Sequence, residues 1–375
     1  MQLKSEGKET TITAKFVSAC DGYKSTIRRL LNLEYQGEDM PLDMLIIDAP
    51  LEMKASKNNG YAAFTDTLSV ILLPLENSWR IIADVAKAPE FHCNGDERPT
   101  EEMFQKIIDR TMKEPIKVGK ALWTSKFLIH ERLAKKYRVE RIFLSGDAAH
   151  AHSPAGGQGM NTGMQDAVNL AWKIAFILKG HGSELLLDSY EIERRPVAKH
   201  IIKLSGKLLH MGTTRNKYLI AIRDFLLPKL SRIPFIQKKF AANLSERSIC
   251  YDNSSIVAGK KHRSIKPGSP MPKITFNLKE HTDTELHNNV GKKFIFLDFT
   301  GDAEPLTKYY PDTVFYVGIQ PTMTQIIKEF GMKHGGYVVI RPDQYIAYLG
   351  DKQDEIIPLF QKMFSSSSKL SLDEE

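Results

Sequence analysis

The residues best suited to chemistry lie between Arg141 and Lys179. Asp147 stands just after the apolar run Ile142-Phe143-Leu144, which has the character of a buried strand. A loop of small residues follows, with Pro154, Gly156, Gly157 and Gly159. From about Met160, apolar residues recur at helical spacing: Met164, Val168, Ala171, Ile174, Ala175 and Leu178. A carboxylate at the carboxyl end of a strand can accept hydrogen bonds from ligand hydroxyls, as acidic residues do for ribose. A helix starting near Met160 leaves first-turn N–H groups unpaired and places partial positive charge there. The glycines remove side chains that would hold a ligand away from that backbone. Together these features suit an anion, or a ring that becomes anionic.

Two other patterns in this stretch fail on spacing. Gly157, Gly159 and Gly163 form GxGxxxG, but ten positions separate Asp147 from Gly157, so no tight turn leads straight out of the strand. His150 and His152 form H-x-H, yet no third ligand is near in sequence to complete a metal site. Neither a G-x-S-x-G elbow nor a Walker motif occurs.

The elements that must position this loop follow from the rest of the chain. Residues 10–19 alternate and then run apolar into Cys20, which predicts one strand ending at Asp21-Gly22. Ser25 can cap a short helix through Leu31. By itself this is a plain strand–turn–helix in which Asp21 serves the turn. Met44–Ile47, Tyr61–Phe64, Leu68–Leu75 and Trp79–Val85 are β-rich and predict an antiparallel sheet beside the α/β layer. Glu101–Met112 has helical periodicity, and Ala121–Ile129 is expected to return as a strand. Gly180-His181-Gly182 ends the central helix. Leu185–Ile202 and Lys203–Ser245 predict further helices, broken at Pro196, Pro228 and Pro234. The amphipathic pieces Tyr218–Leu227 and Phe235–Leu244 could lie on a membrane or a partner; packing against the main domain is the favoured expectation.

Residues 256–272 have the composition of a linker. Beyond them Phe294–Phe299 and Thr313–Val317 predict strands and Thr322–Phe330 a helix. Tyr337–Ile340 is expected to pair with Tyr345–Leu349 across Arg341-Pro342-Asp343-Gln344, and Glu355–Phe364 to close the unit as a helix.

Composition narrows the function classes. A chain of 375 residues can hold two domains. Three scattered cysteines, Cys20, Cys93 and Cys250, give neither a disulfide framework nor a zinc site and fit a reducing, cytoplasmic setting. The N-terminus lacks a signal-peptide core, and no stretch approaches a membrane span. The net charge of +7 is uneven: residues 190–270 hold 17 Lys/Arg against 5 Asp/Glu. A solvated basic face is the ordinary reading of such a segment. Without a reading motif or interleaved aromatics, nucleic acid is not expected as a partner.

The segment GDAAHAHSPAGGQGMNTGMQDAVNLAWKIA resembles the FAD-contacting motif of the group A aromatic hydroxylases, in particular the phenol hydroxylase and 2,4-dichlorophenol monooxygenase branch. CDGYKSTIRRLL is similar to that family's second motif, and LDSYEIERRPVA to the segment after the motif helix. The resemblance implies an α/β fold with an FAD-binding, glutathione-reductase-like domain at 1–255 and an inserted antiparallel substrate sheet. It also implies a thioredoxin-like domain at 273–364, followed by a disordered tail at 365–375. Where thioredoxin carries its redox pair, this chain has Thr300-Gly301-Asp302, so that domain is expected to be structural and to form a homodimer interface.

By the same resemblance Asp147 would bond the ribityl chain of FAD, and Pro154 would lie near the isoalloxazine. Gly157, Gln158, Gly159, Met160 and Asn161 would offer backbone N–H groups to its pyrimidine edge. Asp21 and Arg28 would lie near the pyrophosphate and the route of NAD(P)H. The implied reaction is NAD(P)H reduction of FAD, oxygen capture as a C4a-hydroperoxide, and transfer of one oxygen atom to a phenolic or other aromatic ring. Catalytic residues are not identifiable, and Tyr61, Phe64 and Trp79 are candidates for the substrate pocket that could equally be core.

The family's opening GxGxxG, which holds the ADP half of FAD, does not occur in this sequence. The FAD-binding domain is therefore expected to be incomplete and inactive alone. A truncated gene model or fragment, a companion chain and a degenerate protein stay open as origins. The alternative function is a non-catalytic scaffold or interaction protein. Another flavin enzyme of this fold, such as a halogenase or reductase, is disfavoured by the thioredoxin-like tail.

Overall fold

The computed structural model describes residues 2–364, apart from 6–7, 55, 155–156, 215–216, 231, 247, 263–264, 273–288 and 304–305. The expected tail at 365–375 and the opening of the expected 273–364 domain lie outside the described residues.

A hairpin of β1 (Gln2–Ser5) and β2 (Lys8–Thr11) precedes β3 (Val17–Ala19), so the single strand expected over 10–19 is two separate elements. Helix α1 (Thr26–Leu30) follows, with the Ser25 hydroxyl accepting from the Arg28 N–H at 3.0 Å as its cap. Next come β4 (Tyr35–Ala49), β5 (Leu51–Glu52), β6 (Tyr61–Phe64), β7 (Ser69–Pro74) and β8 (Trp79–Asp84). Helix α2 (Glu101–Thr111) leads to β9 (Lys117–Val118), β10 (Trp123–Ala134), β11 (Arg138–Val139), β12 (Ile142–Leu144) and β13 (His150–Ala151). Helices α3 (Gly159–Leu178), α4 (Glu184–Thr213), α5 (Lys217–Leu230) and α6 (Pro234–Leu244) then run to β14 (Ala258–Gly259). The C-terminal unit holds β15 (Phe294–Asp298), β16 (Val314–Gly318), β17 (Tyr337–Ile340) and β18 (Ile346–Gly350), with helices at Thr324–Phe330 and Ile356–Phe364.

Three sheets position the rest. β3 and β12 are parallel neighbours in the order β11-β12-β3, with Leu144 opposite Ala19. Six antiparallel strands form a second sheet, β13-β10-β4-β8-β7-β6. Alternation divides its side chains: Leu45, Ile47, Val70, Leu72, Trp79, Ile81 and Ala83 pack with Phe104, Ile107 and Ile108 of α2. The third sheet has the order β14-β18-β17-β15-β16, in which β15 and β16 are parallel and β17 is antiparallel to both β15 and β18.

Three expectations need correction. Helix α4 continues through Pro196 for 30 residues. A proline removes one N–H and crowds one turn, and Val197, Ala198 and Ile201 are buried beyond it, so packing outweighs the lost bond. The described residues of the expected linker are part of the fold: Ile256 is buried, β14 pairs with β18, and the Gly268 N–H donates to the Ile346 carbonyl at 2.7 Å. The C-terminal unit also shares its core with the rest of the chain, for Trp172, Phe176 and Leu186 pack with Phe294, Phe296 and Phe360. Finally, several apolar residues of α5 and α6 are not buried as favoured, since among the described residues Tyr218, Ile222, Phe225 and Phe235 are exposed. Among the described residues no helix is long and apolar enough to cross a membrane.

Candidate flavin site

Parallel pairing of β3 with β12 brings two chain turns to one sheet end. Asp21 follows one strand, and Ser145, Gly146 and Asp147 follow the other. The Asp21 carboxylate accepts from the Thr26 and Ile27 N–H groups at 2.7 and 3.1 Å, closing the start of α1. Its slight burial favours the neutral form, but bonds from Ser25, Ile27 and Thr26 outweigh this and lower its pKa.

Arg28 reaches across to the second turn. Its guanidinium donates to the Ala148 carbonyl at 2.8 Å and the Tyr23 carbonyl at 2.6 Å, and lies 3.7 Å from the Tyr35 ring centre. The Tyr35 hydroxyl donates to the Asp147 carbonyl at 2.9 Å. Arg28 is buried, so in this structure it holds the Asp147 turn from behind. Asp147 itself is exposed, and its carboxylate has no protein partner among the described residues.

Beneath the turn lies a buried ionic group that sequence reasoning missed. Asp166 of α3 accepts from the Gly146 N–H at 3.0 Å and from His150 Nε2 at 2.7 Å with one oxygen. Its other oxygen accepts from Arg194 Nε of α4 at 2.7 Å. Burial would raise the Asp166 pKa, but Arg194 and His150 together hold it below the usual carboxylate range. Arg194 also donates to the Thr162 carbonyl and the Tyr251 hydroxyl, each at 3.1 Å. A carboxylate in the middle of an apolar helix pattern was the available signal. The H-x-H pair acts here as packing and hydrogen-bonding side chains: His150 stacks on Tyr137 and on His152, with ring centres 6.2 Å apart in each pair.

The glycine loop then delivers α3. Gly146 has φ +57° and packs against Gly163, which explains that glycine of the GxGxxxG pattern. Gly157 has φ +66° with nothing within 4 Å of where a Cβ would stand. Pro154, Met160 and Asn161 are exposed, whereas Gln158 is buried and donates through Nε2 to the Asn243 carbonyl at 2.9 Å. Helix α3 starts at Gly159 without a side-chain cap. Of the expected loop residues, Pro154, Gly157, Met160 and Asn161 are exposed, as is Asp147, Gly159 is half-buried and Gln158 is buried, while Asp21 and Arg28 lie at the adjoining turn, engaged within the protein.

The same loop borders the six-stranded sheet directly, because β13 pairs with β10 through Ala151↔Arg132 and His150↔Leu133. The sheet face away from α2 carries Met44, Ile46, Asp48, Ile71, Leu73, Arg80, Ile82, Trp123 and Phe127. Phe64 falls on this face by register and is exposed. Tyr61 and Trp79 do not: they touch one another in the α2 core, ring centres 6.0 Å apart. A cavity of about 520 Å³ lies against Phe127, lined also by Met40, His92, Cys93 and Lys126.

A strand-end carboxylate and a glycine loop leading into a helix start thus stand beside an antiparallel sheet, within the part of the chain that matches a flavin-binding family. The chain belongs to the FAD binding domain family, whose match covers residues 1–205. It is 28% identical to 6-methylpretetramide 4-monooxygenase of Streptomyces rimosus over 94% of this chain and 66% of that protein. It is 36% identical to pentachlorophenol 4-monooxygenase of Sphingobium chlorophenolicum, over 53% of this chain and 37% of the other. The fold superposes on OxyS anhydrotetracycline hydroxylase of S. rimosus with a TM-score of 0.77 at 24% identity, covering 98% of this chain and 72% of that one. The chain therefore spans about two thirds of the length of its full-range relatives.

FAD fits the residues present. The unpartnered, exposed Asp147 carboxylate suits a polyhydroxyl chain, and the open Gly157 corner beside an uncapped helix start suits a flat polar ring edge.

Proposed function

We propose that this protein takes part in NAD(P)H-dependent hydroxylation of a phenolic or other aromatic compound with molecular oxygen. Bound FAD would supply the electron transfer and oxygen chemistry. Asp147 would accept from ribityl hydroxyls. The Gly157–Asn161 backbone would face the pyrimidine edge, where the start of α3 favours negative charge. Pro154 would flank the ring. Arg28 and Asp21 would hold the two turns in register beside the pyrophosphate and the NAD(P)H route. The apolar sheet face with Phe64, Ile71, Leu73 and Phe127 would seat the aromatic compound and exclude water from it.

The carrying observation is the Asp147 carboxylate, exposed at the strand end with no protein partner among the described residues, ahead of a glycine loop that leads into the start of α3. The C-terminal sheet order, with a parallel first pair and an antiparallel second pair, supports a thioredoxin-like reading. In place of a redox pair, the buried Asp298 carboxylate accepts from the Thr300, Gly301 and Ala303 N–H groups at 2.8, 3.2 and 3.2 Å. That unit is read as structural and as the contact for a second copy.

Titration of the purified chain with FAD tests the reading, followed by NAD(P)H oxidation with and without a phenol. A yellow complex whose NAD(P)H oxidation rises with the phenol supports it. A folded protein that takes up no FAD overturns it for this chain.

A further inference from the structure

Among the described residues, α5 turns most of its large apolar residues outward, as does the start of α6. On α5, Tyr218 is 82% exposed, Phe225 63% and Ile222 55%, and Leu219, Leu226 and Leu230 are exposed with them. These positions recur three and four residues apart, so they form one stripe along the helix. Ile233 and Phe235, just beyond α5 in the chain, are exposed as well, the latter 73%. Single exposed apolar residues are ordinary on a protein surface, whereas a contiguous run marks a contact site.

Charge selects the occupant. Residues 217–244 contain six Lys/Arg and one Asp/Glu, a net charge of +5. Lys229, Arg232 and Lys238 are exposed. Lys229 Nζ sits 3.5 Å from the centre of the Phe225 ring, so a cation stands against the apolar row. Docking of a second copy through this segment would bring two basic segments together, which Coulomb repulsion opposes. An anionic lipid surface has neither difficulty: the apolar row enters the headgroup–acyl boundary and the lysines meet lipid charge.

We propose that the α5–α6 segment docks this protein on anionic membrane surfaces, lying in the interface. The inference does not depend on flavin binding or turnover, and its test uses neither.

The full chain is sedimented with phosphatidylcholine vesicles, with and without phosphatidylglycerol. Binding is expected only with phosphatidylglycerol present, and it should fall steeply as salt is raised. Phe225→Glu with Phe235→Glu should weaken it at least about tenfold. Lys229→Glu with Arg232→Glu should weaken it about fivefold or more for each charge changed. All four positions are exposed, and circular dichroism of each variant checks that the fold is kept. Equal binding to neutral vesicles, no binding to either, or a concentration-dependent dimer that the Phe225→Glu variant abolishes would each overturn the proposal.

Discussion

Arg194 Nε meets Asp166 Oδ1 at 2.7 Å in a fully buried contact between α4 and α3. The second Asp166 oxygen receives the Gly146 N–H, so the ion pair fixes the turn that presents Asp147. The neighbour of Arg194 on α4, Glu193, faces the other way. It accepts from Lys173 Nζ at 2.7 Å and from both terminal nitrogens of Arg341, at 2.5 and 2.9 Å. Two successive residues of one helix therefore tie the candidate flavin turn and the C-terminal unit to a single scaffold.

Asp166→Ala should leave Arg194 as a buried cation without its charge partner and Gly146 without its acceptor. Removing one member of such a pair costs about 3–5 kcal/mol. Urea unfolding is expected to show a loss of that order, together with weaker FAD uptake. Asp166→Asn keeps a hydrogen-bonding group of the same shape and should lose less. Equal midpoints for the wild type and Asp166→Ala would refute the role given to this residue.

Asp147→Ala separates binding from folding. The side chain is exposed and has no protein partner among the described residues, so the unfolding midpoint should hardly move. FAD affinity should fall about tenfold or more, because hydrogen bonds to a charged acceptor are worth about 1.5–3 kcal/mol. Flavin fluorescence on titration reads this directly. An unchanged affinity would remove Asp147 from the site.

The local part of this arrangement was legible in the sequence, because strand, glycine loop and helix start leave local signatures. Strand β12 ends shortly before Asp147 and α3 starts at Gly159, close to the ends that the pattern predicts. The supporting ionic groups were not legible. Asp166, Arg194, Glu193 and Arg341 are separated by up to 175 residues and become partners only through tertiary packing. For the same reason β4 and β10 outran their expected ends, since long pairing between them extends both strands. Pro196 misled because propensity is local, whereas the burial of Val197, Ala198 and Ile201 is not.

Phe64 and Trp79 make opposite predictions from the same residue class. Trp79 is buried in the α2 core, so Trp79→Ala should cost about 3–5 kcal/mol in urea unfolding. Phe64 lies on the open face, so Phe64→Ala should leave stability nearly unchanged and raise the KM for an aromatic substrate. A large stability loss at Phe64 would place it in the core instead.

The Lys173–Glu193–Arg341 group gives a test in pH. Burial pushes the Lys173 amine down to about 8 from the model-peptide value of 10.5, although Glu193 pulls it upward. Between these two values the unfolded chain binds more protons at this site than the folded one, so its contribution to stability rises with pH there. The wild type should therefore gain stability relative to Lys173→Met as pH goes from about 8 to 10.5. Glu193 gives the opposite limb: burial would raise its pKa, but Arg341 and Lys173 hold it well below the usual carboxylate range. Its stabilisation is complete above the unfolded value near 4.5 and is lost as pH falls below it toward the folded value. Glu193→Gln should flatten that acid limb and, by leaving two buried cations facing a neutral amide, cost more at neutral pH than Lys173→Met. Thermal midpoints of the three proteins across both ranges check the order. Parallel curves for the wild type and Lys173→Met above pH 8 would show that this amine does not titrate as its burial requires.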